Sequence, residues 1–361
     1  MDKKYNFESE KKVFDTFAEW QEFAYKNSLT DGAIVAPPEK QKVVEILDYL
    51  GRNPDESIGK FPPLNGNVTI EQIAIISVMC GCLPEYVTVV IAAVEALLAP
   101  EFNMAGVQGT TNPVTPLILI NGPIVKEIGI NSKDGVFGSG FRSNTSIGRT
   151  VRLIMWILGG AKPGEHDKST LAHPAKYCFC IGENEDESKW EPFHVTRGFA
   201  AKDNTVTVFG CHGPFHILLK GSSNRIINMI TNSIPIYGVN MWTIAGQYMV
   251  VMSPSIVKEL HDSKISKEKF ISELYSKARF NAGNMKHANI NEEGAGSMSY
   301  WGMVENPPDL NSFKDDELLP MVENKDDIHV VCAGGMSMRW SGFLPGWGVA
   351  GAYAVTKTIT K

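Results

Sequence analysis

Hydrophobic and polar positions vary along this chain in patterns that predict most of its elements. In residues 10–27, Val13, Phe14, Phe17, Trp20 and Ala24 fall at helical spacing with charges between them. Residues 32–36 (GAIVA) read as a short apolar strand stopped by Pro37 and Pro38. Residues 39–50 are amphipathic, and Gly51 suits the left-handed position just past a helix. Residues 52–67 carry three prolines among other turn formers and read as an ordered loop. Two apolar helices follow at about 70–80 and 84–98, with Pro84 in the first turn of the second.

The continuous apolar run at 116–120 predicts a strand buried on both faces, turned by Asn121-Gly122-Pro123 into a short helix. A glycine-rich loop, 135–149, leads into a helix over about 146–158. Strands are expected at 176–182 and 205–211, with the acidic segment ENEDESKWE between them. A helix at about 223–233, a strand at 247–252 and two helices up to about 280 come next. Residues 283–326 are loop-rich, and a strand at 328–333 runs into Gly334-Gly335. One internal similarity stands out: LILINGPIVKEI (117–128) and MVVMSPSIVKEL (249–260) share a strand, a proline turn and the word IVKE. The expected fold is therefore α/β: a mixed sheet flanked by helices, built from two related α/β halves, with a helical N-terminal arm. The corresponding division is arm and linker 1–66, first half 67–200 and second half 201–361.

Composition adds limits. Of 361 residues, 43% are hydrophobic and 20% charged, which excludes a disordered or fibrous chain. A net charge of −6 argues against nucleic acid as a partner. The N-terminus is charged and has no apolar signal core. The most apolar stretch, 69–99, is broken by Gly81 and Pro84 into pieces shorter than the ~20 residues that span a bilayer. No membrane partner is expected, and a cytoplasmic location with free thiols is the default.

Six cysteines are too few for a disulfide scaffold, yet four of them form two C-x-C pairs. Cys82 precedes a helix start, where the positive end of the dipole lowers a thiol pKa, so it is a candidate nucleophile; Cys80 is a weaker one. Cys178 and Cys180 are expected on one face of a strand with Phe179 on the other, which suits packing or a soft metal. Glu183 and His194 follow a strand end, where a carboxylate and an imidazole suit acid–base work or metal ligation. The loop GVFGSGFRSNTSIGR sets Arg142, Asn144 and Arg149 near a helix start, a chemistry fit for a small anionic molecule. Gly334 and Gly335 offer a second backbone nest, and Cys211-His212 is a weak thiol–imidazole pair.

Several ordered stretches, among them LTDGAIVAPPEKQKV, VMCGCLPEYVTVVIAAVEAL and KYCFCIGENEDESKWEPFHVTRGF, resemble a bacterial family known as UGSC-motif (seleno)proteins or thiol-redox proteins. The resemblance runs from about residue 29 to AGGMSMRWSGFLPGWG. It aligns Cys82, Cys180, Glu183, Asn184, Glu185, Trp190, Glu191, His194, Arg142, Asn144 and Arg149 with family motif positions. The U/C-G-S-C tetrad is absent, and Cys211-His212 departs from the family pattern. The leading expectation is a small-molecule enzyme using Cys82 as thiolate, with Cys180 secondary, Glu183 and His194 managing protons, and the arginine loop holding an anion. One alternative is an acid–base lyase or hydrolase, with or without a metal on Glu183 and His194. Another is a non-catalytic partner of a separate thiol-redox protein that carries the tetrad. No cofactor is named by the sequence, and the aromatic arm (Phe14, Phe17, Trp20) suggests a homodimer.

Overall fold

The computed structural model describes residues 5–239, 246–287, 310–347 and 351–360. Helix Phe17–Lys26, capped by Thr16, and helix Lys40–Leu50, ended by Gly51 in the left-handed region, make the N-terminal arm. Between them the expected strand at 32–36 is absent. The segment bends at residues 31–33 and joins no sheet; the Val35 carbonyl instead accepts from Trp20 Nε1 (2.9 Å) and Gln21 Nε2 (2.6 Å). The expected loop at 52–67 contains a hairpin, β1 (Ser57–Phe61) with β2 (Gly66–Thr69). Thr69 then opens helix Ile70–Met79 with a reciprocal Gln72 capping box, a device worth about 1 kcal/mol.

The core is built on strands whose sequences are apolar on both faces. β3 (Thr115–Asn121), β4 (Cys180–Gly182), β5 (Thr205–Cys211) and β6 (Phe215–Leu218) come first. β7 (Tyr248–Met252), a minor pair β8 (Arg279–Asn281) and β9 (Leu318–Pro320), then β10 (Ile328–Cys332), β11 (Trp340–Pro345) and β12 (Val355–Thr358) complete the set. They form two four-stranded mixed sheets, β12-β5-β3-β4 and β10-β7-β11-β6. Leu117 and Leu119 of β3 meet Met249 and Val251 of β7 between the sheets. Ile118 and Ile120 face the helices of the first half, while Tyr248, Val250 and Met252 face those of the second. The result is four layers, helix–sheet–sheet–helix, which explains why neither central strand alternates.

The two sheets have matching topology. β4 runs parallel to β3 and β5 antiparallel to it, as β10 and β11 do around β7. Ile118 pairs with Cys180 and Val208; Val250 pairs with Val330 and Phe343. The strand after β5 leaves for the other sheet, where β6 pairs with β11, and the strand after β11 returns, where β12 pairs with β5. At the crossing, Cys211 and Gly346 bridge each other. A side chain at Gly346 would strike the Gln247 carbonyl, so the crossing fixes glycine there. The expected boundary at residue 200 does not separate the sheets: β5 and β12 both belong to the first.

Other boundaries shift as well. Helix 146–158 starts earlier, at Arg142, and ends at Ile157. The helix expected at 84–98 is a 3-10 turn, Pro84–Tyr86, followed by helix Val87–Leu97. Of the strand expected at 176–182, only β4 forms. Trp20 is buried and, with Phe23, packs on Phe14, so these rings serve the chain's own core; Phe17 alone stays exposed. Part of the loop-rich stretch 283–326 (residues 288–309) lies outside the described residues. Among the described residues no single helix is long and apolar enough to cross a membrane.

Candidate functional site

In open sheets of this kind, loops gather where parallel strands end. β7 and β10 end together at Ser253 and Ala333, and beside them lies a cavity of about 600 Å³. Ser253 caps helix Pro254–Asp262 on one side. Gly334, at φ 102°, turns the chain on the other, a conformation that excludes most side chains. The glycine-rich loop of the first half crosses over this opening. Ser132 accepts from the Gly334 N–H (2.9 Å), Ser337 donates to Asp134 (3.4 Å), and Phe137 lies over Gly342. Phe137 and the His216 ring meet edge to face at 6.2 Å. Gly334 and Gly335, expected to bind substrate, both line this cavity.

The register that pairs Ser253 with Ala333 pairs Asn121 with Glu183 at the ends of β3 and β4. There the space is filled by side chains. Glu183 is wholly buried and accepts from Asn121 Nδ2 (2.5 Å), the Phe193 N–H (2.7 Å) and the Cys332 N–H (3.3 Å). Glu185 accepts from the same Asn121 amide and from the Gly122 N–H, both at 2.8 Å. Burial pushes the Glu183 carboxyl above its ordinary value, and buried Lys267 opposes that shift. Burial likewise pulls the Lys267 ammonium down; it donates to the Glu191 carbonyl at 3.0 Å. His194 is fully buried, donates from Nε2 to the Ala200 carbonyl (3.2 Å), and has Nδ1 3.7 Å from Glu185 rather than bonded to Glu183. Three buried atoms here, Asn121 Oδ1, Asn184 Oδ1 and His194 Nδ1, make no hydrogen bond with the protein. Among the described residues no group of three His, Cys, Asp or Glu side chains is arranged to hold a metal ion.

The thiols lie elsewhere. All six cysteines are free. Cys82 sits in the core between sheet and helices, with Sγ 3.2 Å from Thr150 Oγ1. The same Thr150 hydroxyl also lies 2.7 Å from the Ser146 carbonyl, to which it donates. Burial pushes Cys82 up to about 12, opposed by Thr150 and Arg142, and Cys80 likewise to about 12. The dipole effect expected at the helix start is outweighed by loss of water. Cys180 in β4 is buried on the same side and is also held protonated by burial. Phe179 faces the other sheet while Cys178 and Cys180 face the helices, the alternation expected of a strand. Cys211 is buried at the sheet crossing, and His212 turns away to Asn112 (2.9 Å), so that pair makes no dyad.

The arginine loop is occupied by structural contacts. Arg149 grips Asp31 with two bonds (2.8 and 3.1 Å) and also donates to the Ala33 and Ile34 carbonyls, tying the arm to helix Arg142–Ile157. Arg142 donates twice to the Gly81 carbonyl (2.9 and 3.1 Å). Asn144 braces the chain at Asn131 and Cys180. These three do not converge on an open space.

The structure thus brings together Glu183, Glu185 and His194, joins Gly334 and Gly335 in a separate cavity, and leaves Cys82, Cys180, Arg142, Asn144 and Arg149 apart from both. The sequence reading missed Asp134, Phe137, His216, Ser253 and Trp340. A signal for Ser253 existed, since the internal similarity sets it opposite Asn121. A second, larger groove of about 990 Å³ lies under the arm, walled by apolar residues such as Phe14, Trp20 and Ile76; no strand ends converge on it. Comparison with family models, curated proteins and solved structures finds no match.

Proposed function

We propose that this protein acts on a small molecule held in the cavity at the ends of β7 and β10, by acid–base rather than thiol chemistry. One observation carries this reading. Where the first half fills its strand ends with Glu183, Asn184 and Glu185, the second has Ala333, Gly334 and Gly335, and space of about 600 Å³ remains. Volumes of this order suit small ligands. Among the described residues, the reactive groups at the cavity are Asp134, His216, Ser253, Ser337 and Ser341, with no cysteine among them. The resemblance to thiol-redox proteins favours a thiolate at Cys82, but a protonated thiol with a pKa near 12, packed in the core, is poorly suited to attack.

A small-molecule panel read by thermal shift on the full chain tests the proposal. Ser337→Trp, at the exposed mouth, is expected to abolish the shift caused by any binder, while Cys82→Ala preserves it. Binding that survives Ser337→Trp and disappears with Cys82→Ala would return the thiol to the centre.

A further inference from the structure

We infer that the cavity selects a small organic cation, an ammonium group beside an apolar body. This rests on the cavity being the ligand site. The sequence suggested an anionic ligand, yet among the described residues the lining contains no lysine or arginine and a single acidic side chain, Asp134. The nearby cations are spent outside it: Lys133 pairs with Glu187 at 3.6 Å, and Arg339 binds Glu259 (2.9 Å) and the Gly221 carbonyl (3.0 Å).

The hydrogen-bond inventory points the same way. Ser253 donates its hydroxyl proton to the Met338 carbonyl (3.3 Å), Ser341 to the Val251 carbonyl (3.0 Å) and Ser337 to Asp134. Each hydroxyl has one proton, so Ser337 and Ser341 keep lone pairs, while the Ser253 oxygen also meets Ser255 Oγ at 3.2 Å. Four of the main-chain donors beside the cavity are also used. The Ser253 N–H binds the Trp340 carbonyl, Pro254 has none, the Ile256 and Val257 N–H groups return to the Ser253 carbonyl, and the Gly334 N–H goes to Ser132. The carboxylate of Asp134 and the serine oxygens thus offer a ligand acceptors on one side of the cavity. The walls complete the match. Trp340 and Phe137 line it with aromatic rings, whose faces attract cations, and Met338 and Val251 give the apolar body a surface.

Three probes sharing the phenylethyl body test this on the full chain by calorimetric titration: 2-phenylethylammonium, neutral 2-phenylethanol and anionic 3-phenylpropanoate. The ammonium is expected to bind about tenfold tighter than the alcohol, and the carboxylate weakest. Asp134→Asn should erase the preference for the cation while leaving the alcohol's affinity unchanged. If 3-phenylpropanoate binds as well as the ammonium and Ser337→Trp abolishes both, the cation inference fails while the cavity stands. If no probe binds, or Ser337→Trp leaves binding intact, the cavity reading fails with it.

Discussion

The ends of β3–β4 and of β7–β10 are the same piece of architecture with opposite contents. At the first, Glu183, Asn184 and Glu185 fill the space and bind the backbone around them. At the second, Ala333, Gly334 and Gly335 leave it open. The two are also linked. Glu183 accepts from the Cys332 N–H, and the Asn184 backbone N–H donates to the Cys332 carbonyl at 2.7 Å. The Asn184 side chain donates to the Gly334 carbonyl at 3.3 Å. The filled site is thus a brace for the open one, tied to it through Glu183 and Asn184. A repeated backbone does not imply a repeated function, because side-chain volume decides whether strand ends become a pocket or a prop.

The strongest way to break this comparison is to remove the brace. Glu183→Ala strands three buried donors, and a loss of about 3–5 kcal/mol in urea unfolding is expected. A loss under about 1 kcal/mol would mean the carboxylate braces nothing. The glycines come next. Gly122, at φ 92°, would press a side chain against the Asp203 carbonyl, so Gly122→Ala is expected to cost about 2–4 kcal/mol. At Gly335 the added methyl first meets the carboxylate of exposed Asp134, a side chain that can move aside. Gly335→Ala should cost less than about 1 kcal/mol while weakening binding of the ammonium probe. Equal costs would erase the distinction between the halves.

Acid tests the seam between the sheets. His329 of β10 packs between Phe193 and Phe209 of the first half and bonds to Gln247 at 2.9 Å. Burial, aided by Arg197 and Lys267, pulls its imidazole down to about 3. The unfolded chain protonates it near 6.5, so below that pH the unfolded state binds more protons. Its contribution is complete above about 6.5 and falls by about 1.4 kcal/mol per pH unit toward 3. His329→Gln should flatten that part of the stability–pH curve; an unchanged slope would refute it. The mildest test is chemical. Native Cys82 should react with iodoacetamide at pH 8 no faster than the other thiols, given its high pKa. Rapid labelling at Cys82 would move attention back to the first half.

Much of the fold was legible because burial on two faces writes itself as an uninterrupted apolar run, as in 116–120 and 247–252. The repeated IVKE word correctly marked the two central strands. The exchange of β6 and β12 was not legible, since an edge strand looks alike on either sheet. The cavity was half legible. Gly334-Gly335 follows an apolar strand and draws notice, but Asp134 and Phe137 reach it only through a loop that crosses from the other half. Cys82 misled because a helix start is visible in sequence, whereas the depth of its burial depends on packing from helix Arg142–Ile157 and the arm.

The exchanged strands bear on how the chain is made. β12 pairs with β5 so that Thr356 meets Thr207, and the first sheet's outer edge stays uncovered until β12 leaves the ribosome. Pairing across such a separation is slow, since a long loop must close before any contact rewards it. During that interval the naked edge of β5 invites other strands. Slow synthesis or a C-terminal truncation should therefore reveal itself first as aggregation through β5, well before any effect at the cavity.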